Sequence, residues 1–216
     1  MKEVERLGSS LDDLRRFPID AMQRAGRQLN KVQHEYEPDD WKPMPSIGPG
    51  ACEIRIHTAN EYRVIYVAKF PMKVYVLHAF EKKTQKTNPK ALDLARRAIN
   101  KCCRDARIYP MTRKESTLIK ITKSTGNVFQ DLGFPPAQAA NLALRSELMD
   151  SLLSIVTRRR LDKAQAAKLF GVKTSRVDDL KKGHIERLTL DNLCEMLIRA
   201  GVAVKITLSP KKTRAA

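Results

Sequence analysis

The segment HAFEKKTQKTNPK, residues 78–90, combines one histidine with a run of basic side chains. A histidine titrates near neutral pH and can transfer protons, whereas ammonium groups attract phosphate oxygens. The residues concerned are His78, Lys82, Lys83, Lys86 and Lys90. These side chains could be solvated, could bind a phosphate backbone or could act on a reacting phosphodiester. The surrounding secondary-structure elements help to decide among these three roles.

Three strand-like segments precede and include the start of this run: CEIRIHT (52–58), EYRVIYVAKF (61–70) and KVYVLHAF (73–80). They are rich in Val, Ile and Tyr, and connections this short permit only antiparallel hairpins. In the first strand Glu53, Arg55 and His57 alternate with Ile54 and Ile56, so one face is apolar and the other ionisable. The polar face is therefore a candidate site.

Helices flank these strands. SSLDDLRRF offers Ser9 or Ser10 as a cap and ends at Pro18, and DAMQRAGRQLNKVQ has one apolar stripe, with its arginines and lysines expected in water. A further helix is predicted after Asn88-Pro89. The stretch PDDWKPMPSIGPG, residues 38–50, has four prolines and two glycines and predicts no regular structure. The first 110 residues or so thus indicate an α+β domain.

Composition restricts the class of partner. The chain has 41 Lys and Arg against 24 Asp and Glu, a formal net charge of +17, which favours a polyanionic partner such as nucleic acid. No apolar run approaches the roughly 18 to 20 residues of a membrane span, and MKEVERLGSS does not resemble a signal peptide. We expect a cytoplasmic protein that does not contact membranes. The cysteines lack zinc-site spacing, so neither a metal nor another cofactor is expected.

From Met111 the sequence changes character. MTRKESTLIKITKSTGN has no clear period and indicates a linker or flexible arm. Helical patterns follow: SELMDSLLSIVTRRR; DKAQAAKLFG, with Asp162 and Gln165 in capping-box spacing; TSRVDDLKKG, with Thr174 as cap; and TLDNLCEMLIRAG, with Thr189 as cap. The two short helices joined by residues 171–173 indicate a helix-turn-helix, although other small helical bundles produce similar patterns.

These residues carry a resemblance to a known pair of families. AQAAKLFGVKTSRVDDLKKG, IERLTLDNLCEML and GNVFQDLGFP resemble the HigA-type antitoxins, which have an XRE helix-turn-helix. LDDLRRFP, DWKPMPSIGPG, EIRIHT, EYRVIYVAKF and VLHAFEKKTQKT resemble phage-type HigB toxins of the RelE/ParE superfamily, in which helices pack on an antiparallel sheet. The implied organisation is a toxin domain (1–108), a linker (109–126), an all-α antitoxin domain (127–208) and a basic disordered tail (209–216).

The resemblance implies a ribosome-dependent endoribonuclease that cleaves mRNA without metal and inhibits translation. Attack of a ribose 2′-OH on the adjacent phosphate needs proton transfer and cations over the transition state. The positions that match such catalytic residues are Arg55, Arg63, His78, Lys82 and Lys83, with Lys86 and Tyr62 expected to bind RNA. Arg55 and Arg63 are expected to stabilise the phosphate and His78 to transfer the proton.

The antitoxin resemblance implies a repressor that binds its own operator as a homodimer through the antitoxin half, and that contacts the toxin within or between chains. The residues expected on DNA are Lys163, Lys173, Thr174, Ser175, Arg176, Lys181 and Lys182. Such antitoxins usually carry glutamine where this chain has Lys163 and Thr174, and a small polar residue at Asp178. The acidic pair Asp178-Asp179 is expected to alter or weaken the reading of the groove.

Structural alternatives remain open for each of these residues. Arg55 and Arg63 are also compatible with cross-strand pairing to Glu53 and Glu61, and His78 with a hydrogen-bonded core position. The lysines are compatible with solvation alone, and Tyr62 with core packing. Two functions follow: a toxin–antitoxin unit whose nuclease is latent in the intact chain, or a DNA-binding regulator whose toxin-like half is a catalytically inactive docking domain.

Overall fold

A computed structural model describes residues 1–83, 89–105, 120–205 and 207, with the side chains of 100–105 left aside. The first half contains β1 (Glu3–Leu7), α1 (Ser10–Arg15), α2 (Ile19–Gln33), β2 (Trp41–Pro43), β3 (Ala51–His57), β4 (Glu61–Val67), β5 (Lys73–Glu81) and α3 (Pro89–Asp105). The second half contains β6 (Ile121–Thr122), α4 (Val128–Asp131), α5 (Pro136–Arg158), α6 (Lys163–Phe170), α7 (Thr174–Lys181), a 3-10 helix (Ile185–Arg187) and α8 (Leu190–Arg199). The predicted α+β half followed by a helical half is confirmed.

The described strands form one six-stranded sheet in the order β2-β3-β4-β5-β1-β6. The predicted antiparallel pairing of β3, β4 and β5 is confirmed. The expectation of a wholly antiparallel sheet is wrong, because β1 pairs with β5 in parallel. The expectation that residues 38–50 lack regular structure is also wrong: β2 pairs with β3 at the edge of the sheet, where a proline does not interrupt a ladder of hydrogen bonds.

Helix α2 lies between the sheet and the second half. Its apolar residues pack on the sheet, but the expectation that its basic residues stay in water is wrong, because Arg24, Arg27 and Lys31 are at most 9% exposed. Gly26 lets α2 approach α4 closely, since a Cβ there would stand 2.7 Å from Phe129 Cε1. Apolar residues of both halves therefore form one continuous cluster rather than two separate cores.

Buried ion pairs also join the halves. Each consists of an arginine from the first half and a carboxylate from the second: Arg6 with Asp131 at 2.9 Å, Arg24 with Glu186 at 2.6 Å, and Arg27 with Asp150 at 2.8 Å. Sheet pairing adds a further contact, because β6 joins the free edge of β1. The predicted linker (109–126) thus contains a short strand, β6. Residues 106–119 lie outside the described part, and the domain boundaries stay a prediction.

The second half has the predicted helices with two differences. The capping box of Asp162 and Gln165 is present, and the Thr189 hydroxyl accepts a hydrogen bond from the Asn192 backbone N–H. Thr174 is not a cap, because α7 begins at this residue and Lys173 precedes it without a side-chain capping bond. Helix α5 starts at Pro136, well before the predicted SELMDSLL segment. Among the described helices, none is long and apolar enough to cross a membrane.

Candidate functional site

Arg55 and Arg63 stand opposite each other on β3 and β4, so their side chains leave the same face of the sheet. Glu53, whose side chain is 2% exposed, lies beside both: its Oε1 is 3.6 Å from Arg55 Nε and 3.6 Å from Arg63 Nε. Lys42 Nζ is 3.5 Å from the same oxygen. Three cations therefore share one buried carboxylate.

The two arginines differ in accessibility. The Arg63 side chain is 6% exposed; its Nη2 lies 2.9 Å from Glu61 Oε2, and its Nη1 donates to the Tyr62 carbonyl at 2.7 Å. The Arg55 side chain is 35% exposed, and its only nearby carboxylates among the described residues are Glu53 and Asp40, the latter at 3.4 Å. Arg55 can thus contact a ligand directly, whereas Arg63 is held by the protein beside it.

His57, at the end of β3, is held between two carboxylates. Its Nε2 is 2.7 Å from Asp40 Oδ2 and its Nδ1 is 2.7 Å from Glu61 Oε1. Partial burial alone lowers the pKa of His57, but the hydrogen bonds and charges of Asp40 and Glu61 outweigh it and raise the pKa above its usual value. Sequence alternation placed His57 on this face, yet nothing in the sequence indicated that Asp40, from the preceding loop, would meet it.

His78 lies on the same face of the sheet but in a more enclosed position. It pairs with Ile65, next to the pair formed by Arg63 and Phe80. Its side chain is 11% exposed, its Nδ1 is 3.0 Å from Asp13 Oδ2, and its ring stacks on Phe80 with centroids 5.5 Å apart. This is the hydrogen-bonded core position left open by the sequence. The structure brings Arg55 and Arg63 together and places His78 farther along β5.

The remaining predicted RNA-contacting residues are divided among three locations. Lys82 is half-buried and Lys83 exposed where β5 ends, with Lys83 Nζ 3.9 Å from Glu81 Oε2. Lys86 lies outside the described residues. Tyr62 faces the opposite side of the sheet, is 4% exposed and packs against Phe17 with ring centroids 4.6 Å apart. In this arrangement the ring of Tyr62 is not available to stack on a base.

The second predicted site is the start of α7. Gly171 adopts a left-handed conformation, with φ of 65°, that ends α6 and turns the chain into α7, as in a helix-turn-helix. Thr174, Ser175 and Arg176, predicted to contact bases, are exposed, and so is Lys173, predicted to contact phosphates. Arg176 Nη1 donates to the Arg187 carbonyl at 2.9 Å, which holds its guanidinium near the end of the 3-10 helix. Lys181 and Lys182 are exposed at the opposite end of α7.

The acidic pair in α7 is neutralised within the protein. Asp178 pairs with Lys163 at the start of α6, and this hydrogen bond lowers the pKa of Asp178. Asp179 is 8% exposed and lies 3.0 Å from His184 Nδ1 and 3.1 Å from Arg187 Nη1. Asp179 therefore stabilises the turn after α7, and its Oδ2 also lies 3.5 Å from Nη1 of Arg176 at the start of the helix.

Comparison with known families assigns each half separately. Residues 12–100 match the family of phage-derived Gp49-like proteins. Residues 128–209 match a family of helix-turn-helix domains. Neither the curated proteins nor the solved structures give a match. The two matched segments coincide with the α+β half and the helical half described above.

Proposed function

We propose that the chain is a latent ribosome-dependent mRNA endonuclease and a DNA-binding repressor in one cytoplasmic polypeptide. It joins a Gp49-like domain, of a RelE/HigB-like toxin family, to an XRE-like helix-turn-helix domain, and so matches a fused toxin–antitoxin pair. The observation that carries the nuclease proposal is the cross-strand pair Arg55 and Arg63 on the polar sheet face. Two guanidinium groups side by side suit a phosphate that gains charge in the transition state.

The other catalytic roles are assigned by position. Lys82 and Lys83, where β5 ends, contact neighbouring phosphates of the mRNA, and Lys86 continues this basic segment. Proton transfer falls to a histidine, and His57 is the better placed of the two, because its side chain is 53% exposed against 11% for His78. Attack by a ribose 2′-OH restricts the reaction to RNA and requires no metal.

Latency follows from the position of the second half. The end of α7 lies beside Arg55 and His57, and together they line one cleft. We expect the second half to stand in the way of a bulky complex such as a ribosome with bound mRNA, although Arg55 and His57 stay accessible to a small ligand. The buried ion pairs and the pairing of β6 with β1 oppose displacement of the second half. A cut between residues 105 and 119 alone does not remove these contacts, so release also requires dissociation or degradation of the second half.

For repression, Thr174, Ser175 and Arg176 at the start of α7 enter the major groove, while the phosphates are contacted by Lys163, Lys173, Lys181 and Lys182. Lys173, Thr174, Ser175 and Arg176 stay exposed, and Lys163 pairs with Asp178 within the second half. Lys181 and Lys182 are also exposed, but they line a cleft whose other wall belongs to the first half. Ile198 on α8 and Val202 after it are 60% and 37% exposed, which supports a homodimer through this half. Each dimer then presents two recognition helices to a palindromic operator.

The test is mRNA cleavage in a reconstituted translation mixture. The samples are the intact chain, the chain cut between residues 105 and 119 by an inserted protease site, and the cut chain after denaturing separation and refolding of the first half. We expect cleavage only from the separated first half and only with ribosomes, and we expect Arg63→Ala and His57→Ala to abolish it. Cleavage by the intact chain at the same rate would contradict latency.

A folded but inert first half would favour the alternative, a DNA-binding regulator with a catalytically inactive docking domain. One observation supports that alternative: Arg63 is held by Glu53, Glu61 and the Tyr62 carbonyl and is 6% exposed. The two readings differ in the effect of Arg63→Ala on the folded first half. If Arg63→Ala loses cleavage while its circular dichroism is unchanged, the nuclease is supported. If the folded first half without this substitution already shows no cleavage, the regulator is supported.

A further inference from the structure

A cleft of about 470 Å³ lies between the two halves, a size within the range of small-ligand sites. One wall is formed by β3 and α2 of the first half and the other by the end of α7 and the turn that follows it. The ionisable groups that argue for a ligand are Arg24, Arg55, His57, Lys181, Lys182 and His184. Neither half forms this cleft alone.

The charge in the cleft is not balanced by its own carboxylates. Asp39 is already occupied by Lys31, whose Nζ is 2.6 Å from its Oδ1, and Asp40 is shared by Arg55 and His57. Arg24 is compensated by Glu186 at 2.6 Å. Within the described part of the chain, the ammonium groups of Lys181 and Lys182 make no hydrogen bond and no ion pair within 4 Å. The nearby carboxylate whose charge acts on them, Asp178, is already paired with Lys163, so positive charge remains here.

Close contacts between the two halves, next to Lys181 and Lys182, fix the geometry of the cleft. Arg24 donates to the His57 carbonyl as well as to Glu186, and so links α2, β3 and the 3-10 helix. Gly183 follows the lysines with φ of 69°, and a Cβ at that position would lie 2.7 Å from Asp39 Oδ2. The side chains of Lys181 and Lys182 are therefore positioned by a turn that packs directly on the first half.

We propose that this cleft binds the phosphate group of a nucleotide, either a free nucleotide or the phosphorylated end of an RNA chain, between Arg55 of the first half and Lys181 and Lys182 of the second. Guanidinium and ammonium groups on opposite walls provide charge-assisted hydrogen bonds to phosphate oxygens. The aliphatic stems of the arginine and lysine side chains in the walls give an apolar surface for the base. The site shares Arg55 with the proposed nuclease but requires binding only, without RNA cleavage.

Binding is tested on the intact chain by isothermal titration calorimetry with two probes, adenosine 5′-monophosphate and a 5′-phosphorylated single-stranded RNA tetranucleotide. The test variants are Lys181→Ala/Lys182→Ala and Arg55→Gln. The control is Lys120→Ala/Lys123→Ala, which removes the same charge from exposed positions by β6, at the sheet edge opposite β2 and β3. Circular dichroism verifies that each variant is folded.

We expect the dissociation constant to rise about tenfold or more in both test variants, because each loses a charge-assisted contact with the phosphate. In the control it should rise less than about twofold, because only distant charge is removed. This pattern with the mononucleotide identifies a free nucleotide as the ligand, and the same pattern with the RNA alone identifies an RNA end. The proposal is overturned if neither probe binds, or if the control weakens binding as much as Lys181→Ala/Lys182→Ala. Because no cleavage is measured, either result is independent of the nuclease proposal.

Discussion

We expect the buried ion pair between Arg27 and Asp150 to couple the stability of the two halves. Arg27 on α2 has a side chain that is 0% exposed, and its Nη1 lies 2.8 Å from Asp150 Oδ1 and 3.3 Å from Ser146 Oγ, both on α5. Burial raises the pKa of Asp150 even though the charge of Arg27 lowers it. Arg27→Met removes the cation and leaves a buried carboxylate without its main partner.

Breaking a buried pair in this way costs roughly 3 to 5 kcal/mol. Asp150 can limit the cost by taking up a proton, which its raised pKa favours, so we expect a loss of about 3 kcal/mol, or about 150-fold in the equilibrium constant. The exposed pair of Arg16 with Asp13 provides the control, because Arg16 is 78% exposed and 3.5 Å from its partner. Arg16→Met should change stability by less than about 0.5 kcal/mol.

Urea unfolding with two probes measures both the loss and its location. Trp41, the single tryptophan, reports on the first half, whereas far-ultraviolet circular dichroism is dominated by the helices. The two transitions should coincide in the parent chain and separate in Arg27→Met, because the variant weakens the junction. Arg27→Met/Asp150→Leu should restore most of the stability. A loss below about 1 kcal/mol with coincident transitions would refute the claim that this pair couples the halves.

Three further predictions concern single positions. Gly183→Ala should lower the free energy of unfolding by about 2 kcal/mol or more, because it combines a left-handed φ with a Cβ 2.7 Å from Asp39 Oδ2. Gly201→Ala, where φ is 83° and the space is open, should lower it by about 1 kcal/mol. Equal losses in urea titrations would contradict this contact. His57 has a raised pKa, so its contribution to stability is present below its ordinary pKa of 6.5 and lost as the pH rises through the folded-state value. The stability difference between the parent and His57→Gln should therefore shrink between pH 6 and pH 9, and a constant difference would argue against the bridge. Asp162→Ala should cost about 1 kcal/mol in thermal unfolding through loss of the capping box, and no measurable change would show that the box is not needed.

The sequence predicted what depends on local pattern and missed what depends on distant contact. Alternation placed Glu53, Arg55 and His57 on one face, and capping spacing located α6, because both signals lie within a few residues of each other. The parallel pairing of β1 with β5 joins segments about 70 residues apart, and no local period encodes it. Basic residues on α2 were expected in water because their carboxylate partners, such as Asp150, lie far along the chain.

Polar contacts at the site were missed for the same reason. The hydrogen bonds of His57 to Asp40 and Glu61 bring together a loop and two strands, so the raised pKa of His57 is a property of the fold and not of the local sequence. Tyr62 shows the converse case. Its position one residue before Arg63 puts it on the opposite face of β4, and the strand period alone already separates the two side chains.

The two proposals for nucleic acid and nucleotide binding depend on the same pair of lysines. Lys181 and Lys182 contact DNA phosphates in the repressor proposal and a nucleotide phosphate in the cleft proposal. An ammonium group that is hydrogen-bonded to one phosphate is less available to a second. Linkage then requires that a nucleotide in the cleft weaken DNA binding by the same factor by which DNA weakens nucleotide binding. Because Arg55 and His57 line the same cleft, the ligand would also occupy part of the proposed nuclease face. A single occupant between the halves would thereby couple the state of the toxin-like domain to repression by the helix-turn-helix domain.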